Sequence, residues 1–148
     1  MRRIYAILLL LNICACSNDS SNRNPFLQEI NFRFDANLNL PTYSPLSNTG
    51  SAVWVPTQGV GLRGVFIINV GFDQFRAFEA SCPNHVPNDC STMILDGQLV
   101  TCACEDYQYS LFTGQLLNRP DDDDGDTRYY DMLEYRASFN GSSVTVSN

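Results

Sequence analysis

The residues of this chain that could do chemistry are concentrated in positions 81–119. This stretch holds the only histidine, His85. It also holds four of the six cysteines, namely Cys82, Cys90, Cys102 and Cys104. Thiolates and imidazole are the ligands of zinc and iron–sulfur centres, and paired thiols form disulfides in oxidising compartments. The stretch therefore predicts a metal centre or disulfide pairs.

A single histidine restricts the enzyme classes that fit this sequence. His85 would have to be the base of any Ser-His-Asp or Cys-His site, and no nucleophile elbow or activated-cysteine context accompanies it. No carboxylate pair of the glycosidase kind can be named. Because a lone histidine in a turn is more often a structural hydrogen-bonding group, the sequence favours a protein that is not an enzyme.

The N-terminus reads as an export signal. Arg2 and Arg3 precede an apolar run that is too short to span a membrane as a helix. The following Ile-Cys-Ala-Cys resembles a bacterial lipobox, which implies a lipoprotein signal peptide at 1–15 and lipidation of Cys16. Ser17 favours the outer membrane by the sorting habit of lipoproteins. Residues 16–26 are polar and predict a flexible tether, and residues 27–148 predict one domain.

Charge limits the partners of the exported chain. Without Arg2 and Arg3, seven arginines face sixteen acidic residues, a net of 7 − 16 = −9, and there is no lysine. This balance argues against nucleic acid and against attraction to anionic lipid surfaces. Attachment to the membrane should depend on the lipid, and the sequence does not name a protein partner.

The four thiols of the domain are expected to form two disulfides, because the chain is exported. Three pairings are possible. A hairpin is predicted within the same stretch, with strands at 92–95 and 98–103 joined by Asp96-Gly97, a strong hairpin signal between alternating apolar residues.

This arrangement resembles the cluster-binding half of a Rieske domain, which has a C-x-H motif, a hairpin and then C-x-x-H. Two departures affect the chemistry. Asn84 stands at the position of the first histidine, with His85 one residue late, and Glu105 takes the position of the second. The resemblance continues in YQYSLFTGQL, which is similar to the aromatic strand and T-G turn of that family.

The resemblance implies an all-β fold with Rieske-like antiparallel sheets and two converging cysteine loops. It also implies that Cys82 and Cys102 lie where one iron would bind, and that Cys90 and Cys104 form the disulfide that braces the loops. With no second histidine, we expect Cys82 and Cys102 to oxidise to a second disulfide.

Three function classes follow from these residues. The first is a lipid-anchored module of the cell envelope that has lost its cluster and serves in binding or architecture. The second is an electron carrier whose 2Fe-2S cluster has unusual ligation. Its ligands would be Cys82, His85, Cys102 and either Glu105 or Cys104. The third is a thiol-disulfide or zinc protein that uses the same residues.

The remaining sequence reads as strands and turns. Alternation predicts one or two strands over 30–40, a short strand at Ala52–Val55, a central strand at 64–70 and a return strand at 75–81. Three spaced glycines before the central strand, Gly59, Gly61 and Gly64, predict a turn and not a phosphate site, because no helix or lysine follows. A strand at 130–139 and an Asn140-Gly141 hairpin into 143–146 complete the all-β prediction.

An acidic loop follows the cysteine-rich stretch. Its carboxylates are Asp121, Asp122, Asp123, Asp124 and Asp126. Closely spaced carboxylates favour calcium, but Pro120 stands where an EF-hand would need its first ligand. A solvated loop with at most weak calcium affinity is predicted.

Overall fold

The computed structural model describes residues 23–120 and 127–148. Within these ranges the chain forms nine β-strands and one short 3-10 turn, Ser44–Ser47, with no α-helix. The strands are β1 (Arg33–Asn37), β2 (Ala52–Val55), β3 (Val65–Gly71), β4 (Gln74–Glu79), β5 (Ile94–Asp96), β6 (Leu99–Thr101), β7 (Gln108–Ser110), β8 (Glu134–Phe139) and β9 (Ser143–Ser147). The all-β prediction is confirmed.

The strands form two antiparallel sheets. Six of them are ordered β1-β9-β8-β4-β3-β2, and the other three are ordered β5-β6-β7. The small sheet lies between β4 and β8 in sequence, so the cysteine-rich stretch is an insertion between two paired strands of the large sheet. The large sheet thus holds both ends of the insertion in place.

Strand β3 is buried on both faces, as its largely apolar sequence, in which only Asn69 is polar, predicts. Phe66 and Ile68 pack in a cluster with Val100 and Tyr109 of the small sheet. The alternate residues of β3 pack on the opposite face, in a second cluster that contains strand β9. The first cluster also contains Cys82 and Cys102, so these cysteines are part of the core between the two sheets.

The backbone conformation of the turn residues determines where the hairpins form. The β3–β4 turn contains Phe72 and Asp73, both with positive φ, at 53° and 58°. The hairpin predicted at Asp96-Gly97 is present, but Asp96 pairs with Leu99, so its turn is shifted by one residue. The Asn140-Gly141 hairpin joins β8 to β9 as predicted. Positive φ at both glycines, 60° and 96°, is the conformation that these turns require.

Several strands are shorter than predicted, namely β1, β4, β5, β6 and β8. Strand β1 ends at Asn37, because a turn closed by the Leu40 N–H to Asn37 carbonyl hydrogen bond follows it. Strand β8 begins at Glu134 and not at position 130. In the segment before it, the Tyr130 N–H donates to Asn84 Oδ1 at 2.7 Å and the Met132 N–H donates to the Gly114 carbonyl at 2.8 Å, so neither group is available to the ladder with β4.

Several predictions concern residues outside the described ranges. These are the signal peptide at 1–15, lipidation of Cys16 and the acidic loop of Asp121, Asp122, Asp123, Asp124 and Asp126. Described contacts with the domain begin at Arg23, near the end of the predicted tether. Arg23 forms an ion pair with Glu29 at 3.8 Å, and Asn24 Nδ2 donates to the Pro83 carbonyl at 2.7 Å. Among the described residues, no helix has the length and apolar character needed to cross a bilayer.

Candidate metal centre

Two loops bring the cysteines together. The first cysteine loop, residues 82–91, follows β4. A bridge between Ser81 and Thr92 holds its ends together, as does a 2.8 Å hydrogen bond from the Cys82 N–H to the Ser91 carbonyl. The second cysteine loop, residues 102–107, joins β6 to β7. Its ends are fixed by the Cys102 N–H donating to the Tyr107 carbonyl at 2.8 Å.

A disulfide joins the two loops. Cys90 is bonded to Cys104, with the Cα atoms 5.5 Å apart, a usual distance for a disulfide. This pairing is the brace that the sequence predicts. It links the outer parts of both loops, while Cys82 and Cys102 lie deeper in the core.

The second predicted disulfide, between Cys82 and Cys102, is not formed. Both residues are fully buried free thiols. The bridge was expected because the chain lacks a second histidine. Here the Cys102 thiol lies 3.1 Å from Glu105 Oε2 and 3.4 Å from His85 Nε2, and Cys82 Sγ lies 4.0 Å from the same carboxylate oxygen.

Four potential ligand atoms therefore converge at one point. The sulfurs of Cys82 and Cys102, a ring nitrogen of His85 and a carboxylate oxygen of Glu105 all lie within 4.8 Å of one another. His85 Nε2 is 3.3 Å from Glu105 Oε2. The side chain of His85 is 15% exposed and that of Glu105 is 35% exposed, so the group has a buried sulfur side and a partly open carboxylate side.

The imidazole of His85 is oriented by its own loop. Nδ1 lies 2.9 Å from the Val86 carbonyl, which can only accept, so Nδ1 donates. In the neutral ring the lone pair then lies on Nε2, the nitrogen nearest the thiols. Partial burial lowers the pKa of His85, but the Val86 carbonyl, the Cys102 thiol and the charge of Glu105 outweigh it and raise the pKa above its ordinary value.

The two thiols hold their protons unequally. The hydrogen bond between them lowers the pKa of Cys82 and, together with burial, raises the pKa of Cys102. Burial opposes the decrease at Cys82. Backbone hydrogen bonds from Asn84 and Cys104 lower the pKa of Cys82 and Cys102, respectively. The pair therefore loses a first proton more easily than an ordinary thiol and holds the second more firmly.

Asn84 does not join the ligand group. Its amide nitrogen donates to the Tyr109 hydroxyl at 2.7 Å and to the Tyr130 carbonyl at 2.9 Å, and its Oδ1 accepts from the Tyr130 N–H. Asn84 thus connects the first cysteine loop to β7 and to the segment before β8. It acts as a cross-link, and His85, one residue later, provides the only imidazole.

Several solved structures have folds similar to that of this chain. The plasma-membrane Rieske protein PetC3 from Synechocystis PCC 6803 is 18% identical and superposes with a TM-score of 0.52, covering 76% of this chain and 97% of PetC3. The chain has a Rieske-type fold. The apo form of the quaternary ammonium Rieske monooxygenase CntA is 15% identical, with a TM-score of 0.53, and the match covers 82% of this chain and 34% of CntA. The Rieske-type domain therefore corresponds to about a third of that enzyme.

Sequence comparisons add no family assignment. No protein-family model matches the chain, and no curated protein matches it.

The ligand atoms of this Rieske-type domain do not fit a binuclear cluster as they are arranged. A Rieske centre binds one iron through two cysteines and the other through two histidines. Ligands on opposite irons must lie farther apart than ligands on one metal ion, because two metal ions and their bridging sulfides separate them. Here His85 Nε2 and Glu105 Oε2 lie 3.4 and 3.1 Å from Cys102 Sγ. As placed, the two ligand pairs lie closer together than the ligands of a binuclear cluster would.

Sequence reasoning missed one residue near this site, Glu79. It is fully buried at the end of β4, three positions before Cys82. Its carboxylate accepts hydrogen bonds from the backbone N–H groups of Leu62, Arg63 and Ser81 at 2.7 to 2.9 Å and from the Tyr135 hydroxyl at 2.7 Å. Alternation along β4 gives no signal for a buried acid, so only long-range contacts could reveal it.

Proposed function

We propose that this chain is a lipid-anchored protein of the cell envelope whose Rieske-type domain holds no 2Fe-2S cluster and acts as a binding or structural module. The observation that carries the proposal is the close approach of the four ligand atoms, all within 4.8 Å of one another. The engagement of Asn84 with Tyr109 and Tyr130 supports it, since this side chain would have to leave those bonds if the loop were to open.

Iron and sulfide analysis tests the loss of the cluster. The full chain is purified anaerobically from membranes in detergent, and iron and acid-labile sulfide are measured per chain. We expect neither in stoichiometric amount and no visible charge-transfer absorption. Two irons and two sulfides per chain would overturn the proposal.

A gain-of-ligand variant makes the same test more specific. Asn84→His together with Glu105→His restores an imidazole at both family positions. If ligand identity is what prevents cluster binding, this variant should take up iron and sulfide when reconstituted, while the parent should not. Adding Cys82→Ser to it gives the control, because one iron then loses a thiolate ligand.

The lipid anchor requires a separate test. We expect Cys16→Ser to abolish acylation and to release the protein from membranes, because the lipid alone should hold an acidic chain there. The matched control is Cys14→Ser, which changes the other cysteine of the same motif and should leave the anchor intact. Mass spectrometry of the N-terminal peptide and membrane fractionation report the result. An unmodified peptide in the parent would refute anchoring, and density-gradient separation would test the proposed outer-membrane location.

A second candidate function is electron transfer through a cluster of unusual ligation. It is favoured by the two free thiols, Cys82 and Cys102, which are buried beside His85 and Glu105 and are not oxidised to a disulfide. It requires the ligand pairs to separate, and it predicts the iron and sulfide content that the first experiment measures. A reversible one-electron signal in that preparation would support it over the first proposal.

A further inference from the structure

We propose that Cys82, His85, Cys102 and Glu105 bind a single Zn²⁺ ion in a closed tetrahedral site. This inference rests on the proposed function in one respect, because a binuclear cluster would occupy the same residues. It identifies what the domain binds in place of that cluster.

The distances between ligand atoms carry the inference. Zinc–ligand bonds of about 2.3 Å to sulfur and about 2.0 to 2.2 Å to nitrogen and oxygen place the corners of a tetrahedron roughly 3.3 to 3.8 Å apart. The separations are 3.1 Å for Cys102 to Glu105, 3.3 Å for His85 to Glu105 and 3.4 Å for Cys102 to His85. Cys82 Sγ lies 4.0 Å from Glu105. The three shorter distances are within a few tenths of an ångström of the edges of a mononuclear site. The edges from Cys82 to Cys102 and to His85 are at most 4.8 Å, so Cys82 Sγ would move the most when a metal ion binds.

The chemical types of the four ligand atoms favour zinc over other metal ions. Two thiolates and an imidazole suit zinc, and a carboxylate oxygen is an established fourth ligand. Calcium and magnesium require more oxygen ligands than this group provides. All four tetrahedral positions are filled by side chains, which is the pattern of a structural zinc site and not of a catalytic one with an open position.

Backbone groups next to the ligand residues hydrogen-bond to the ligands and orient them for this role. The Asn84 and Cys104 backbone groups hydrogen-bond to the sulfurs of Cys82 and Cys102, two residues before each of them. Such bonds stabilise thiolate over thiol. The Val86 carbonyl accepts from His85 Nδ1 and leaves Nε2 free to coordinate. Each of these groups would support a bound cation.

Zinc binding would convert a loose contact into a cross-link. Two cysteine thiols lose their protons to solvent, and four coordinate bonds connect the first cysteine loop to the second. The Cys90–Cys104 disulfide connects the same loops at their outer ends. The ion would therefore fix the inner ends, which the unformed Cys82–Cys102 bridge leaves unconnected.

Metal content and a spectroscopic probe test the site in the full chain in detergent. We expect one zinc per chain, no sulfide, and removal of the ion by a chelator with a lowered Tm that returns when Zn²⁺ is added. Co²⁺ in place of zinc should give the intense visible bands of a tetrahedral ion with thiolate-to-metal charge transfer. This readout needs no variant, so it remains informative if substitutions impair folding.

A matched pair of variants assigns the carboxylate. Glu105→Gln should weaken Zn²⁺ affinity by at least about tenfold, because the anionic ligand is lost. Asp106→Asn is the control, since it removes the neighbouring carboxylate in the same loop and asparagine tolerates the positive φ of 58° at that position. Its affinity should match that of the parent.

The outcomes separate this inference from the proposed function. Two irons with two sulfides would overturn both. A chain with no metal and with Cys82 and Cys102 oxidised would overturn the zinc site but leave the proposed loss of the cluster intact. A single iron without sulfide would overturn the choice of zinc. Equal affinities in Glu105→Gln and the parent, or a Co²⁺ spectrum without sulfur charge transfer, would show adventitious binding and overturn the site.

Discussion

Glu79 and Glu105 lie near the same end of the molecule, yet their surroundings are opposite. Glu79 is fully buried, and its contacts in the described part of the chain are hydrogen-bond donors held by backbone or by Tyr135. Glu105 is partly exposed, and its neighbours are two thiols and an imidazole, which are themselves metal ligands. Glu79 is a completed structural group, whereas Glu105 belongs to a set of ligands that a cation would complete.

The spaced glycines before β3 lie in the loop whose backbone contacts Glu79. Gly61 has a φ of +69°, and a Cβ there would lie 2.7 Å from Glu79 Oε2 and 2.6 Å from the Gly64 carbonyl. The loop therefore needs glycine to bring the Leu62 and Arg63 N–H groups onto the carboxylate. The glycine spacing could be mistaken for that of a phosphate site, but this loop binds the carboxylate of Glu79, an anion of the protein itself. The predicted turn between strands is confirmed.

The largest expected effect comes from neutralising Glu79. Glu79→Gln keeps the shape but removes the charge and directs an amide NH₂ group toward backbone donors. We expect a loss of about 3 to 4 kcal/mol in unfolding free energy, because several charge-assisted hydrogen bonds weaken together. Urea denaturation measures it. Glu29→Gln, at an exposed ion pair with Arg23, is the control and should change stability by less than about 0.5 kcal/mol. Equal losses of unfolding free energy in the two variants would contradict a larger structural role for the buried Glu79 than for an exposed acid.

Removing the Cys90–Cys104 disulfide should destabilise the cysteine loops, the region that contains Glu105. Cys90→Ser with Cys104→Ser opens a loop with a sequence separation of 14 and should cost about 3 kcal/mol in the chain-entropy model. The same denaturation experiment on the reduced parent should give the same value. A parent that is insensitive to reductant would indicate that the bridge contributes little.

A smaller effect is expected for one donor to Glu79. Tyr135→Phe removes only the hydroxyl that donates to Oε2, and we expect a loss of about 2 kcal/mol. Tyr43→Phe is a suitable control, because the Tyr43 hydroxyl makes no hydrogen bond within the described residues. Equal losses of stability in the two variants would contradict a contribution from the hydrogen bond to Glu79.

The smallest effect is a change in alkaline pH dependence. Burial, followed by the negative charge of Glu79, raises the pKa of Tyr135. The folded state therefore keeps this proton at a pH where the unfolded chain loses it. The resulting stabilisation is complete below the unfolded pKa of about 10 and declines above it by up to about 1.4 kcal/mol per pH unit. Tyr135→Phe should show a shallower decline than the parent. Parallel curves would contradict a raised pKa.

The features that the sequence predicts correctly depend on residues that are close together in the chain. The Asp96-Gly97 and Asn140-Gly141 hairpins, the strand Ala52–Val55 and the central strand β3 depend on neighbouring residues and on alternation, and all are present. The Cys90–Cys104 pair followed from the family resemblance.

Long-range contacts explain what the sequence could not predict. The partners of Glu79 lie 16, 17 and 56 residues away in the chain, apart from nearby Ser81. Whether Cys82 bonds to Cys102 depends on the placement of His85 and Glu105 between the loops. The structural role of Asn84 required Tyr109 and Tyr130, which approach it only in the folded domain.

The hydrogen bond between Asn24 and Pro83 places the first described residues against the first cysteine loop. Pro83 adjoins Cys82, so Asn24 lies at the cysteine end of the domain. Asn24 lies 24 − 16 = 8 residues after Cys16, and an extended chain reaches at most about 3.5 Å per residue, or about 28 Å in all. With a lipid on Cys16 as proposed, the cysteine end must stay within that height of the bilayer surface. The lipid would then keep the cysteine loops within reach of a partner at the membrane surface.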